Sequence, residues 1–345
     1  MTVKYTVPAK PKRSCPIIMQ QNALTVLPKL LHDLGDVDRV FILYDHAVQT
    51  IATAVQKSCG DCAMAAVPSG ETSKSLAQVE RLSADFFLRG LTDRSVLICV
   101  GGGVAMDLGT FVAGVYAGGM RSILIPTNFM AMADAAFGGR GYVDIGNMKN
   151  LVCVRHYPSA VIIDMTILSQ LPSPLLRAGL VEVVKIAAIA DAEFFGWLCE
   201  HMDALQQGEM KIIETCITNA IRIKTELMAD ESSDRRLFST FGHTVGHALE
   251  ALTQCKISHA EAVSIGMLVE MRMANAESTE QIAACLQRLN MPKLIPLEFH
   301  NQALWDIMQR DRKARNGQVR IAVPKKIGAG ELRAVTFEDL ARARM

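Results

Sequence analysis

The sequence predicts an α/β fold over its first half and an all-helical second half. Three observations carry this. Short β-branched runs alternate with helical periods up to about residue 170. Beyond that point strand-like runs largely stop, and apolar residues recur at helical spacing. Finally, 345 residues, half of them hydrophobic, suffice for two cores of ordinary size.

The elements follow in order. "RVFILYD" (39–45) reads as a buried strand and "AVQTIATAVQKS" after it as a helix. "MAAVPSG" (64–70) is a short strand ending in a turn, followed by the helical "SKSLAQVERLSADFFLRG". "RSVLICV" (94–100) is a third strand, which runs through three glycines into a helix. "SILIPT" (122–127) and "AVIID" (160–164) add two more. Helices between such strands predict a parallel sheet covered on both faces. The texture changes between Leu168 and Pro174, which divides the chain into 1–170 and 171–345. Helical stretches then follow: "AGLVEVVKIAAIADAEFFGWLCEHM", "MKIIETCITNAIRIKTELMAD", "STFGHTVGHALEAL" and "SHAEAVSIGMLVEMRMANA". Near the carboxyl end, "RIAVPKKIGAGEL" reads as a hairpin or a returning strand.

Charge excludes some partners. Lys plus Arg number 36 and Asp plus Glu 35, with no basic tract for nucleic acid and no acidic tail. The opening "MTVKYTVPAKPKRSCPIIMQ" is polar and proline-broken, without the apolar core of a signal peptide. No apolar run is long enough to predict a membrane span. Nine scattered cysteines suggest reduced thiols in a cytoplasmic protein. Cys59 and Cys62 form one CxxC, but a zinc ribbon needs a second pair, so this reads as a chance pair.

Two regions carry chemistry. Gly101, Gly102 and Gly103 lie between a strand and a helix. There glycines let the backbone approach a pyrophosphate, and the helix amino terminus offers free N–H groups; a plain tight turn is the alternative. Asp45, Glu71 and Lys74 follow the ends of other strands, where a carboxylate can hold a ribose hydroxyl or simply be solvated. In the helical half, Glu182 and Lys185 share an apolar helix face, which suits a structural ion pair or a ligand with its partner. His243 and His247 also share a face, and His259 opens the next apolar helix with Glu261 two residues on. A set of Glu, His and His suits a divalent metal with open coordination positions.

The blocks "GGGVAMDLGTFVAGVY", "IPTNFMAMADAAFGG", "KNL", "AGLVEVVKIA", "FGHTVGHALEA" and "SHAEAVSIGM" together resemble the dehydroquinate synthase family of sugar phosphate cyclases. The match runs in order over about residues 38 to 325. This resemblance implies a Rossmann-like NAD-binding domain, a helical metal-binding domain, and a homodimer. It implies Glu182, His243 and His259 as ligands of zinc or cobalt, with His247 as a proton handler or phosphate contact. Asp134, Lys185, Lys149 and Asn150 match active-site positions of the family, and Lys224, Arg236 and Lys313 match positions that bind substrate anions. Asp45, Glu71, Lys74, Gly102, Gly103, Asp107, Thr127 and Asp164 fall near its NAD contacts. The implied substrate is a small sugar phosphate, 3-deoxy-arabino-heptulosonate 7-phosphate, and the product 3-dehydroquinate, with phosphate eliminated and no net redox change. A sister cyclase acting on sedoheptulose 7-phosphate or glucose 6-phosphate, a polyol dehydrogenase and a degenerate homologue are the alternatives.

Some positions depart from the family pattern. Met106 replaces a glycine near the expected pyrophosphate, and Gly118 replaces an arginine, with Arg121 three residues later. Arg140 stands for a lysine, Thr240 for an asparagine and Ala260 for a glycine. Most of these fall on the phosphate side, while the implied metal set is intact.

Overall fold

The computed structural model describes residues 15–60, 62–146, 148–229, 234–296, 299–311 and 313–343. The polar, proline-broken segment 1–14 lies outside them. Six strands form one sheet: β1 (Ile17–Gln20), β2 (Val40–Asp45), β3 (Ala63–Val67), β4 (Val96–Gly101), β5 (Arg121–Pro126) and, later in the chain, β8 (Ala160–Asp164). Their spatial order is β1-β8-β5-β4-β2-β3, and all pairs are parallel. Between them run α1 (Leu27–Asp33), α2 (Gln49–Cys59), α3 (Leu76–Leu88), α4 (Gly103–Val115) and α5 (Phe129–Ala133).

The strand period of two sorts side chains into separate core layers. Phe41, Leu43, Leu97 and Cys99 pack against α3 and α4 through Leu82, Phe86, Leu108 and Val112. Ile42, Tyr44, Ile98 and Val100 face the opposite way, with Leu27 of α1 and Ala52 and Val55 of α2. A parallel sheet covered on both faces needs this continuous apolar character.

Two strand elements escape the sequence reading. β1 has only four residues and joins the sheet through β8. An antiparallel hairpin, β6 (Arg140–Ile145) with β7 (Met148–Arg155), stands apart from the main sheet and packs on α4. Its second strand holds only a short apolar run, Leu151 to Val154, flanked by Lys149, Asn150 and Arg155, and exposed and half-buried residues alternate along it.

The helical half begins after the short α6 (Met165–Leu168). It comprises α7 (Ser173–Ala190), α8 (Ala192–Gln207), α9 (Met210–Met228), α10 (His243–Leu252), α11 (His259–Met273), α12 (Thr279–Arg288), α13 (Asn301–Met308) and α14 (Phe337–Ala343). The chain preceding α14 forms an antiparallel hairpin, β9 (Val319–Lys326) with β10 (Ala329–Val335), so the hairpin is the reading that holds. Among the described residues, no helix is long and apolar enough to cross a membrane.

One contact sets the site geometry. α10 and α11 approach so closely that a Cβ on Gly266 would fall 1.9 Å from the Gly242 carbonyl oxygen. Gly242 itself sits at φ +77°, the left-handed region that glycine adopts without a Cβ penalty. Gly246, one turn on, meets Ala262 in the same way, so α10 and α11 run closely antiparallel and the rings of His243 and His259 lie 5.3 Å apart between centroids.

Candidate active site

A cleft of about 340 Å³ opens where the carboxyl ends of β2 and β4 meet α7, α9, α10 and α11. Ligands of open α/β sheets sit at that end of the strands. Its walls differ in character. Asp45, Gly102, Gly103 and Asn128 come from the strand ends, and His243, His247 and His259 from the helices.

On the helical wall, Glu182, His243 and His259 each direct one ligand atom to a common point, the atoms lying within 4.8 Å of one another. Glu182 is 2% exposed. Its Oε2 accepts from Lys185 Nζ at 2.5 Å, whereas its Oε1 is buried without a hydrogen-bond partner, His259 Nε2 lying 3.3 Å away. A buried, partly unsatisfied carboxylate beside two imidazoles fits a divalent cation, which takes N and O donors and leaves positions open. Burial opposes its charge, yet Lys185 and His259 hold the Glu182 carboxyl well below the usual carboxylate range. Burial, reinforced by Lys185, lowers His243 well below the usual imidazole range, so it is the neutral form a metal requires. Its Nδ1 is paired with the Phe241 carbonyl at 3.0 Å, which turns Nε2 toward the triad.

Backbone capping explains the placement. Ser258 caps α11 in a capping box with Glu261 at the third helical position, which leaves His259 at the first. Gly242 offers α10 no side-chain cap. Glu270 of α11 supplies one instead, accepting from Gly242 N at 2.8 Å and Val245 N at 3.0 Å. Burial pushes the Glu270 carboxyl up to about 7.

Sequence reasoning missed Glu250. This residue, 1% exposed, accepts from His259 Nδ1 at 3.1 Å and from Lys149 Nζ at 3.2 Å. Burial opposes its charge, but His259 and Lys149 draw its carboxyl down to about 2. The signal was present as a carboxylate three residues after His247 on an otherwise apolar helix face. For its part, His259 is lowered by burial but raised more by Glu182 and Glu250, to about 10.

Charges alternate through the rest of the cleft. Lys224 Nζ bonds Asp134 Oδ1 at 2.5 Å, and Asp134 also acts on Lys185. Lys149 bridges Glu250 and Glu71, the latter at 3.3 Å. Lys74, 4% exposed, meets Asp107 at 2.6 Å and the Asn150 side chain at 2.5 Å. Burial lowers the Lys74 ammonium, but Asp107 and Glu71 outweigh it and hold it above its ordinary range. His247 lines the cleft with a buried Nε2 that has no partner, and burial keeps the ring well below the usual range, hence neutral. Arg140 and Arg236 also line the cleft.

On the sheet wall, no side chain caps the amino terminus of α4. A Cβ on Gly102 would fall 2.5 Å from Asn128 Nδ2, so glycine there lets the Asn128 side chain pack against the turn. Uncapped N–H groups behind a bare glycine turn suit a pyrophosphate. Asp45 follows β2, its Oδ1 accepting from Ala47 N at 2.9 Å and from Ser69 Oγ.

Four sequence-predicted residues lie off the cleft lining: Glu182, buried beside the two histidines, and three others. Asp164 is 3% exposed and spends both oxygens on backbone, Leu24 N at 3.1 Å and Thr166 N at 2.9 Å. Thr127 is buried and its N–H bonds the Gly101 carbonyl at 2.9 Å. Lys313 is buried against Asp311 at 2.9 Å, where its charge still acts on His247 and Glu270.

With this geometry in view, comparison with known proteins is decisive. The 3-dehydroquinate synthase N-terminal family profile matches residues 64–178, and the 3-dehydroquinate synthase C-terminal profile residues 179–314. The chain belongs to the 3-dehydroquinate synthase family. Among relatives, the 3-dehydroquinate synthase of Pelotomaculum thermopropionicum is 32% identical over 96% of this chain and 92% of its own. That of Nostoc punctiforme is 32% identical over 87% and 86%. In fold, the chain is similar to 2-epi-5-epi-valiolone synthase from Streptomyces hygroscopicus subsp. jinggangensis 5008, solved with NAD+ and Zn2+ (TM-score 0.87, 23% identity, 98% of both chains). It is also similar to a 2-deoxy-scyllo-inosose synthase solved with carbaglucose-6-phosphate, NAD+ and Co2+ (TM-score 0.81, 24% identity, 95% of both chains).

The departures from the family pattern now have positions. Met106 is 1% exposed within the core and leaves the cleft unobstructed. Arg121 does not stand in for the arginine absent at Gly118. Its guanidinium is spent on the carbonyls of Leu34, Gly35, Asp36 and Arg94. Thr240 lines the cleft, with its hydroxyl donating to the Leu237 carbonyl at 2.6 Å.

Proposed function

We propose that this chain converts 3-deoxy-arabino-heptulosonate 7-phosphate to 3-dehydroquinate with release of phosphate. The observation that carries the reading is one cleft lined by His243 and His259, whose ligand atoms lie within 4.8 Å of buried Glu182, by an uncapped glycine turn, and by two arginines, Arg140 and Arg236, whose guanidinium groups have no ion-pair partner among the described residues. Glu182, His243 and His259 would hold the divalent metal, and Gly102, Gly103, Asp45 and Glu71 would line the NAD site. When bound there, the metal would supply a Lewis acid for a substrate hydroxyl and NAD a reversible hydride acceptor.

The remaining steps belong to the chain's own side chains. Arg140 and Arg236 offer planar forks to the phosphate and carboxylate of the substrate. Lys224 and Lys149 add point charges that hold the anion while Asp134 and Glu250 keep them oriented. His247, neutral and unpaired at Nε2, can hold a proton taken from substrate as phosphate leaves. Nine cysteines, none of them in a disulfide, support a reducing, cytoplasmic setting, and the resemblance adds a homodimer and a division near residue 170 to the proposal.

Phosphate release, followed with catalytic NAD and added zinc, is expected from the heptulosonate phosphate with no accumulation of NADH. Arg140 in place of lysine favours a second reading, a sister cyclase. Release from sedoheptulose 7-phosphate or glucose 6-phosphate alone would select it. Steady NADH accumulation from a polyol would discard both.

A further inference from the structure

In an extended strand, successive side chains point to opposite faces. Lys149 and Asn150 are consecutive in β7, yet both line the cleft. The β6–β7 ladder shows how. Val143 pairs with Val152 and Ile145 with Met148, so between these pairs Asp144 of β6 stands against Lys149, Asn150 and Leu151 of β7. β7 therefore bulges, and a bulge beside a site re-aims side chains toward it. Asn150 takes φ +54°, a left-handed conformation that asparagine adopts more readily than most residues but that still needs support from its surroundings.

One side chain supplies that support. Asp144 Oδ1 accepts from Asn150 N at 2.6 Å, a charge-assisted bond where the regular ladder is interrupted. Asp144 is itself fixed to the sheet wall: its N–H donates to the Lys74 carbonyl at 2.8 Å, and it forms a parallel bridge with Ser75. From the bulge, Asn150 Oδ1 accepts from Lys74 Nζ, and Lys149 spans Glu250 and Glu71. We propose that Asp144 is a positioning residue, holding the β7 bulge that turns Lys149 and Asn150 into the cleft together. The inference rests on the reaction proposed above only for what Lys149 does there, which is to hold the substrate anion. Asp144→Ala leaves the backbone bond to Lys74 in place, so it frees the bulge while the hairpin tip stays docked.

Three measurements on the full chain test this, two of them without substrate. Amide exchange at Asn150, read by mass spectrometry, should rise about tenfold or more in Asp144→Ala, as loss of a hydrogen bond to a charged group implies. Pulse acetylation should modify Lys149 severalfold faster. With NAD and zinc present, kcat/KM for the heptulosonate phosphate should fall about tenfold or more. Asp144→Asn keeps the acceptor oxygen and should recover most of all three losses. In a Lys149→Ala background, Asp144→Ala should cost much less turnover, since the two act through one group. Wild-type exchange at Asn150 and wild-type labelling of Lys149 in Asp144→Ala would overturn the proposal, as would faster exchange with full turnover. Equal loss of protection in β4 would mark a general role in stability and overturn it too. Both substrate-free changes in a chain that never turns over the heptulosonate would uphold the bulge and sink the reaction.

Discussion

Glu250 shows what a single buried carboxylate can do. It receives the Nδ1 proton of His259, and the opposite nitrogen therefore faces Glu182. Outer-shell carboxylates of this kind fix the tautomer of a ligating imidazole, and their loss commonly costs ten- to a hundredfold in metal affinity. Glu250→Gln keeps the shape and removes the charge. We expect zinc affinity, measured by competition with a chromogenic chelator, to fall about tenfold. Equal affinity in wild type and variant would mean that His259 is oriented by other groups. The same carboxylate pairs with Lys149, which in turn meets Glu71 on the sheet wall. One residue thus couples the two walls, and substitution should also loosen Lys149.

At the scale of elements, the site depends on how α10 and α11 cross. Gly242 precedes α10 in a left-handed conformation, and a Cβ there would meet the Val263 carbonyl oxygen at 2.8 Å and Met267 Cγ at 2.6 Å. Met267 can turn aside, but the Val263 backbone cannot. Gly242→Ala should destabilise the protein by about 2 kcal/mol or more in urea unfolding, since a left-handed L-residue alone costs roughly 1–2 kcal/mol. His243 follows immediately, so zinc content of the purified variant should drop as well. Wild-type stability in that variant would show that the helices can separate without penalty. The helices themselves were plain from their apolar periodicity, because that pattern arises within one element. The β6–β7 hairpin was not, because its apolar run is only four residues long and half exposed, and the hairpin packs on α4 rather than joining the main sheet.

Over the whole molecule, one core cluster runs from Leu97 in the sheet to Met267 in α11. The two halves therefore share apolar surface, and the candidate metal triad draws all three of its residues from the helical half. A ligand that binds only the folded chain adds about 2.7 kcal/mol at a hundred times its Kd. Zinc removal by chelation should accordingly lower the melting temperature by several degrees, as a single transition. His259→Ala should show no such shift; a zinc-dependent shift in that variant would move the metal elsewhere. The chain's own sequence determined the alternation of strands and helices, the glycine turn, the change of texture near residue 170 and the candidate ligand residues. Each of these is a local pattern, set by backbone geometry within a few residues. Tertiary structure alone decided that Glu250 touches His259 nine positions away and Lys149 at a separation of 101. It also decided that Arg155 stands across from Arg140, and that Asp164 spends its oxygens on backbone far from the cleft lining. Such meetings depend on how elements pack and which strand registers form, and long-range packing leaves no periodic trace along the chain.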